Sequence, residues 1–466
     1  MKKTKIVATI SDKRCDVEFL RDLYRAGMNV VRLNTAHQGM EQALKVVENV
    51  RKVADDIAIL IDTKGPEVRT MNMAEPMRVN KGDVIYLTGD VECPPREKLI
   101  HVSYPYFTDD IKKGDKVLID DGDVELIVVE KHTRCLEMMA TNEAVIKDRK
   151  SVNVPGASLK LKSLSDKDRA FIDFAIENNL DFIAHSFVRN KEDILEIQSI
   201  LDEHRSPIKI IAKIENQEGV DNIDEILDHA YGVMVARGDL GIEIEAEKIP
   251  RIQRYIVGKC IESKKPVIVA TQMLHTMIDH PRPTRAEVSD IANAIYMGTD
   301  AVMLSGETAY GAYPVEAVTV MRNVAEANEA AVPPDAERTL VRINNEITAA
   351  LARSAVKTAG MLPIKAIVVD TLSGRTARYL SAFRGSLPVY ARCYNERVMR
   401  ELALSFGIFP YFTEKPMSRD EFMNDLPAML RKRGIQEDDY VLVVGGSFGK
   451  GKGASFIEVC KIGEIH

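Results

Sequence analysis

No basic excess runs through this 466-residue chain: 63 Lys plus Arg stand against 70 Asp plus Glu, a net charge of −7. That excludes a nucleic-acid binder working through a general positive field, although a local phosphate site needs only a few placed cations. Cysteine is sparse and scattered. Cys15, Cys93, Cys135, Cys260, Cys393 and Cys460 form no CxxC pair, so they make neither a disulfide framework nor a zinc site and read as thiols of a reducing compartment. No apolar run approaches the ~20 residues of a membrane span. The basic start, Met1 to Lys5, meets only Ile6 to Ile10 before the polar Ser11-Asp12-Lys13-Arg14, too short a stretch for a signal peptide. Low-complexity tracts and short repeats are also missing. The chain therefore reads as a cytoplasmic protein with no nucleic-acid or membrane partner. Its 45% apolar and 29% charged residues are ordinary for a folded protein, and its length suggests about three domains.

What is present is a recurring unit: a short β-branched run, a polar residue, then an amphipathic stretch. The runs are Ile6–Ala8, Val30–Val31, Ala58–Ile61, Phe182–Ala184, Ile208–Ile211, Gly232–Val235, Val267–Val269 and Ala301–Met303. Helical periodicity falls between them, as at 166–177, 191–203 and 284–296. Eight strand–helix repeats predict a parallel (β/α)8 TIM barrel. The pattern breaks after the third strand. Alternating runs at 84–87, 117–119, 124–129 and 135–140, without a convincing helix, predict a small all-β domain inserted in a barrel loop. Pro333-Pro334-Asp335 reads as a linker, and beyond it helices alternate with strands at 366–369, 389–391 and 440–444, predicting an open α/β domain. The expected division is 1–69 (barrel), 70–153 (lid), 154–333 (barrel) and 334–466 (C-terminal α/β).

In such a barrel, polar residues just past each strand line the C-terminal mouth. Here they are Arg32, Asn34, Asp62, Lys64, Ser186, Lys213, Glu215, Arg237, Asp239, Thr271, Gln272, Ser305 and Glu307. A mixed cluster of carboxylates and cations suits a phosphorylated anion held with a hard divalent ion, since Mg2+ takes one or two carboxylates plus substrate oxygens. Alone, Lys213-Ile214-Glu215 most often describes a solvated strand end or an exposed ion pair, and Asp239 is best read as a helix cap or turn residue. Their shared position after adjacent strands shifts the balance. Gly238 offers backbone N–H groups to a carboxylate or phosphate. His275 and His280, five apart, do not stack as metal ligands on a helix. Gly446 to Lys452 has P-loop spacing, but Gly453 stands where the Mg2+-binding hydroxyl belongs. Thr371 to Thr376 follows a strand and opens a helix, and is either a phosphate cradle or an ordinary capped helix start.

The motifs Asn29-Val-Val-Arg-Leu-Asn34, Asp62-Thr-Lys-Gly-Pro-Glu67, Lys213-Ile-Glu-Asn216, Met234-Val-Ala-Arg-Gly-Asp-Leu-Gly-Ile-Glu243, Ala270-Thr-Gln-Met-Leu274, Pro281-Arg-Pro-Thr-Arg-Ala-Glu-Val-Ser-Asp290 and Met303-Leu-Ser-Gly-Glu-Thr308 together resemble pyruvate kinase, over essentially the whole chain. The resemblance implies a barrel, a lid, a C-terminal regulatory domain, a homotetramer, and transfer of a phosphoryl group from phosphoenolpyruvate to ADP. It implies Mg2+ (or Mn2+) at Glu215 and Asp239. Lys213 and Arg32 would lie on the transferring group, and the backbone from Ala236 through Arg237 and Gly238 to Asp239 on the substrate carboxylate. Thr271 would stand beside the enolate. K+ would sit at Asn34, Asp62 and the Thr63 carbonyl, and the nucleotide near His37, Arg69 and Lys150. A phosphorylated effector would bind at Thr371, Ser373, Gly374, Arg375 and Thr376, with Lys450 and Lys452.

Two positions depart from the family. Ala36 replaces the serine that helps coordinate K+, and Tyr310 replaces a lysine on the nucleotide side. Glu67 is the acidic choice that accompanies K+ dependence. Two other readings compete: a Mg2+-dependent barrel lyase or aldolase acting on a keto acid, and a catalytically silent phosphate-metabolite sensor. The intact set Arg32, Lys213, Glu215, Asp239 and Thr271 argues against the second.

Overall fold

A computed structural model describes all residues except Ser158, Met417, 447–452 and His466. Eight parallel strands close a barrel: β1 (Lys5–Thr9), β2 (Val30–Asn34), β3 (Ala58–Asp62), β4 (Phe182–His185), β5 (Lys209–Ile214), β6 (Gly232–Ala236), β7 (Val267–Ala270) and β8 (Ala301–Leu304). Closure is made by β1 pairing with β2 on one side and with β8 on the other, Lys5 opposite Ala301. Alternation along each strand divides its side chains between two cores. Val7, Leu60, Phe182, Ile211, Met234 and Met303 fill the barrel. Ile6, Val31, Ile59, Ile183, Val233 and Val302 face the surrounding helices.

Caps set where those helices begin. Asp166–Glu177 starts at a reciprocal capping box between Ser165 and Asp168, and Arg285–Tyr296 at another between Thr284 and Glu287. Each satisfies two amide groups that a first helical turn leaves unpaired, worth about 1 kcal/mol. Lys191–Glu203 is capped by Asn190.

Between β3 and β4 lies a mixed seven-stranded sheet, with a further pair formed by Met77–Val79 and Ala144–Ile146. The expected strands are present as Val84–Thr88, Lys116–Ile119, Val124–Lys131 and Leu136–Ala140. Strands at Thr70–Met71, Leu99–Val102 and Val152–Asn153 join them, and one helical turn, Phe107–Asp110, interrupts the all-β expectation. This unit has its own core, including Ile85, Leu126, Leu136 and Met138. Two neighbouring segments tie it to the barrel, where Val152 N donates to Val68 O at 2.8 Å and Arg69 bridges Ser151.

The C-terminal sheet has the order β11-β10-β9-β12-β13, with β9 (Ile364–Thr371), β10 (Val389–Cys393), β11 (Ile408–Phe412), β12 (Tyr440–Gly446) and an antiparallel β13 (Ala454–Lys461). It packs under the N-terminal ends of the barrel strands. Ala403 and Leu404 close the barrel interior from below, beside Tyr231. Buried ion pairs join the two units: Arg384 with Asp300 at 2.7 Å and Arg400 with Asp181 at 2.7 Å. Among the described residues no helix is long and apolar enough to cross a membrane.

Candidate active site

At the C-terminal mouth, β2, β3 and β5 bring four charged side chains into one buried chain of contacts, joined by a hydroxyl that follows β4. Arg32 at the end of β2 pairs through Nε with Asp62 Oδ2 at 2.7 Å, and its Nη1 donates to Thr9 Oγ1 at 3.0 Å. Lys213 Nζ lies 3.0 Å from Asp62 Oδ1 and 3.0 Å from Glu215 Oε1. It also donates to Ser186 Oγ at 2.7 Å, and that hydroxyl donates to the Thr63 carbonyl at 2.6 Å. Gly65 permits this approach: with φ +70° it is in the left-handed region, and a Cβ there would fall 2.8 Å from Ser186 Cβ.

Burial governs the protonation of these groups. It would raise Asp62, but Arg32 and Lys213 outweigh it and hold that carboxyl below its ordinary value. It would lower Lys213, yet Asp62 and Glu215 hold the ammonium above its usual range. Glu215 goes the other way. Burial pushes it up to about 7, Lys213 opposing and the Asp239 and Asp62 carboxylates adding to the rise. Glu215 Oε2 accepts from Phe187 N at 2.6 Å, whereas Oε1 is buried without a hydrogen bond; its contact with Lys213 is close but poorly angled. A buried carboxylate oxygen that has the Lys213 ion pair but no hydrogen bond, and that feels a second carboxylate's charge, is what a further cation would relieve. Asp239, in the first turn of Arg237–Glu243, supplies the second. Among the described residues no group of three His, Cys, Asp or Glu side chains surrounds a metal position. Two carboxylates therefore fit Mg2+, which keeps water and substrate oxygens, and not zinc.

Across the mouth, β6 and β7 are tied together. Arg237 turns away from the four-residue cluster: Nη2 donates to Thr271 O at 2.7 Å, Nε to Ala270 O at 3.2 Å, and Nη1 pairs with Asp290. Gly238 N donates to Thr271 Oγ1 at 2.8 Å, so this amide, expected to be free, has a partner here. Thr271 has φ +70° and Gln272 φ +53°. For a β-branched residue that is a strained backbone, costing about 1–3 kcal/mol. Glu307 is spent on the chain itself, accepting from Ser305 N and Leu274 N.

Asn34 Oδ1 accepts from Ala36 N at 3.1 Å, and Thr35 turns its hydroxyl to the Asp62 carbonyl at 2.8 Å. Asn34 Oδ1, the Asp62 carboxylate and the Thr63 carbonyl are oxygen donors of the kind that suits a hard monovalent cation, with no side-chain oxygen from position 36. His37 shares a cavity of about 570 Å3 with Arg32, Asn34, Lys13 and Tyr310. Arg69 and Lys150 do not line it. They sit at the root of the lid, Arg69 on Glu67 at 2.6 Å and Lys150 on Asp120 at 2.8 Å. In the C-terminal unit, Thr371 and Thr376 are buried while Ser373 and Arg375 are exposed, and Gly374 takes the left-handed conformation at the start of the helix Arg375–Ala382. Lys450 and Lys452 lie outside the described residues. Residue-by-residue reading missed Thr9 and Asp290, whose partners lie 23 and 53 residues away in sequence.

Comparison with known proteins matches this chain to one family. The model of the pyruvate kinase barrel domain matches residues 1–318, and that of the pyruvate kinase alpha/beta domain residues 349–460. The pyruvate kinase of Borreliella burgdorferi is 48% identical over 465 residues, covering 98% of this chain and 97% of the relative. That of Geobacillus stearothermophilus is 44% identical, covering 96% of this chain and 78% of the relative. The crystal structure of a pyruvate kinase from Cryptosporidium parvum superposes with a TM-score of 0.93 at 36% identity, covering 99% of this chain and 96% of that one. These matches do not favour the lyase, aldolase or silent-sensor readings. With both halves matched and the barrel closed as the motifs require, the chain belongs to the pyruvate kinase family and is a glycolytic enzyme of that activity.

Proposed function

We propose that the barrel mouth passes the phosphoryl group of phosphoenolpyruvate to ADP, yielding ATP and pyruvate, with Glu215 and Asp239 holding Mg2+ (or Mn2+). The observation that carries this reading is the buried Glu215 oxygen without a hydrogen bond, 3.0 Å from Lys213 and feeling the charge of Asp239. When bound, the divalent ion would supply charge compensation to substrate oxygens.

The protein's own groups do the positioning. Arg32 and Lys213, fixed by Asp62, present two cations to the phosphoryl group, and Lys213 acts most strongly as negative charge spreads during transfer. Amides from Ala236 through Arg237 and Gly238 to Asp239 orient the substrate carboxylate, which takes the place of Thr271 Oγ1 on Gly238. The bond from phosphorus to the enol oxygen breaks as that to ADP forms. The enolate left behind takes a proton at carbon beside Thr271. K+ at Asn34, Asp62 and Thr63 offsets charge next to Glu67. His37 lies towards the nucleotide, and closure of the lid would bring Arg69 and Lys150 there and exclude water.

We place the domains at 1–69 with 154–333, 70–153 and 334–466, a division supported by separate apolar cores. A cytoplasmic homotetramer, with a phosphorylated effector at Thr371, Ser373, Gly374, Arg375 and Thr376, completes the proposal by family resemblance. The test is Asp239→Asn. A folded variant that loses most activity and needs far more Mg2+ supports the metal pair; near wild-type turnover at limiting Mg2+ contradicts it.

A further inference from the structure

Where the lid returns to the barrel, residues 159–161 are gripped from two sides. The side chains of Leu159 and Leu161 pack against the lid core. The lid also holds the backbone between them: Lys160 N donates to Tyr104 Oη at 3.1 Å and to Asp110 Oδ2 at 3.3 Å, and Tyr104 Oη donates to the same carboxylate. The two flanking carbonyls are taken by the barrel. Arg189 Nη1 donates to Leu159 O at 3.0 Å, and Nη2 to Leu161 O at 3.2 Å. A cavity of about 420 Å3 lies beside this contact, lined also by Pro66, Ala157, Phe187 and Glu243, and leaves the strap room to shift.

Arg189 is itself held in place. Asp193, buried in the first turn of Lys191–Glu203, accepts from Nε at 3.0 Å and from Nη2 at 2.8 Å, a two-pronged pair that fixes the plane of the fork. Asn222 Nδ2 donates to the Arg189 carbonyl at 2.9 Å. The loop after β4 that carries this arginine also meets the charged groups of the mouth. Ser186 Oγ accepts from Lys213 Nζ, and Phe187 N donates to Glu215 Oε2. Phe187 has φ +54°, a conformation that a bulky residue keeps only where its surroundings enforce it. Residues 186–189 thus connect Lys213 and Glu215 to the lid.

We propose that Arg189 is a positioning residue, which sets where the lid stands over the barrel mouth from the same loop that contacts Lys213 and Glu215. The assignment rests on phosphoryl transfer at that mouth. Charge balance alone does not call for this geometry, because any cation would satisfy Asp193, whereas only a planar fork spans Asp193 and two backbone carbonyls together. The lid carries Lys150, and Arg69 stands at its root. A lid released from Arg189 therefore withdraws cations from the nucleotide side, and the defect reads on ADP more than on phosphoenolpyruvate.

The test is Arg189→Lys in the full chain, which leaves Asp193 a cation but cannot reach both carbonyls. Hydrogen exchange at the Lys160 and Leu161 amides should quicken about tenfold, the scale of one lost hydrogen bond. In steady-state kinetics KM for ADP should rise about threefold or more and kcat fall roughly tenfold, with KM for phosphoenolpyruvate within about twofold of wild type. A purely structural arginine would lower the melting temperature and leave these constants unchanged below the melt. Should the variant fail to fold, Tyr104→Phe, which loosens Lys160 N from the lid side, must give the same pattern. Unchanged exchange overturns the proposal, as does faster exchange with unchanged KM for ADP and kcat. Wild type that makes no pyruvate contradicts phosphoryl transfer instead, and exchange then decides the hold of Arg189 by itself.

Discussion

Arg237 donates to the Thr271 carbonyl at 2.7 Å, and so fixes the strained turn that follows β7 from the neighbouring strand. Asp290 holds the same guanidinium from the other side. Arg237→Lys leaves one flexible ammonium in place of a planar fork with several acceptors. We expect kcat to fall roughly tenfold to a hundredfold while the fold survives, because misplaced groups at the reacting carbon cost rate first. Steady-state kinetics with both substrates check this. Unchanged kcat would mean that the turn keeps its geometry without the arginine.

Lys213→Met separates transition-state stabilisation from binding. On the proposed role, kcat should drop by about 10²–10³ and KM for phosphoenolpyruvate should change far less. A pure KM effect would reduce Lys213 to an anchor.

Glu215 gives the site a pH signature. Its folded pKa of about 7 lies above the ordinary carboxyl value of 4.5. Between those values the folded protein binds more protons than the unfolded one. Its contribution to stability is therefore complete below about 4.5 and is lost as pH rises through about 7. Thermal melts of metal-free wild type and Glu215→Gln from pH 5 to 8 should converge differently: the variant lacks this loss. Subtraction also removes Glu243, which burial likewise pushes up to about 7. Mg2+ should bind more weakly below pH 7, where it must displace a proton. A Mg2+ affinity flat from pH 6 to 8 would contradict the assignment.

Ala36→Ser restores a hydroxyl beside Asn34. Because Thr35 directs its own hydroxyl to the Asp62 carbonyl, it does not replace the missing oxygen. We expect the wild type to require a monovalent cation, with weak K+ affinity, and the serine variant to reach half-activation at lower K+. Titrations with KCl, NaCl and NH4Cl at constant ionic strength decide this. Full activity without any of them removes the K+ requirement, and an unchanged half-saturation removes the missing-ligand explanation.

The junction below the barrel rests on Arg384. Its guanidinium pairs with buried Asp300, which also accepts from Phe406 N and Val267 N. Arg384→Met leaves that carboxylate buried without its cation and should cost on the order of 3 kcal/mol. Denaturant unfolding measures the loss. A change under about 0.5 kcal/mol, the scale of ordinary surface substitutions, would show the pair to be incidental.

The barrel was legible because its strands are buried on both faces, so runs such as Ala58–Ile61 and Val267–Val269 are continuously apolar and sharply bounded. The lid was only half legible. Thr70–Met71 and Val152–Asn153 are two residues long, too short to carry a period, and owe their pairing to neighbours. Ile408–Phe412 was hidden by Pro410, tolerated because this strand is at the sheet edge. At the mouth, residue types after the strands were readable, but their partners were not. No local pattern links Arg237 to Asp290, or tells that Gly238 N is already bonded.

Pyruvate formation from phosphoenolpyruvate by the purified chain, with Mg2+ and K+ present and ADP either added or withheld, is the most direct measurement. Transfer at the barrel mouth requires pyruvate and ATP in equal amounts when ADP is present, and little of either without it. Pyruvate released at the same rate without ADP, or no pyruvate with every component supplied, would contradict phosphoryl transfer at this site.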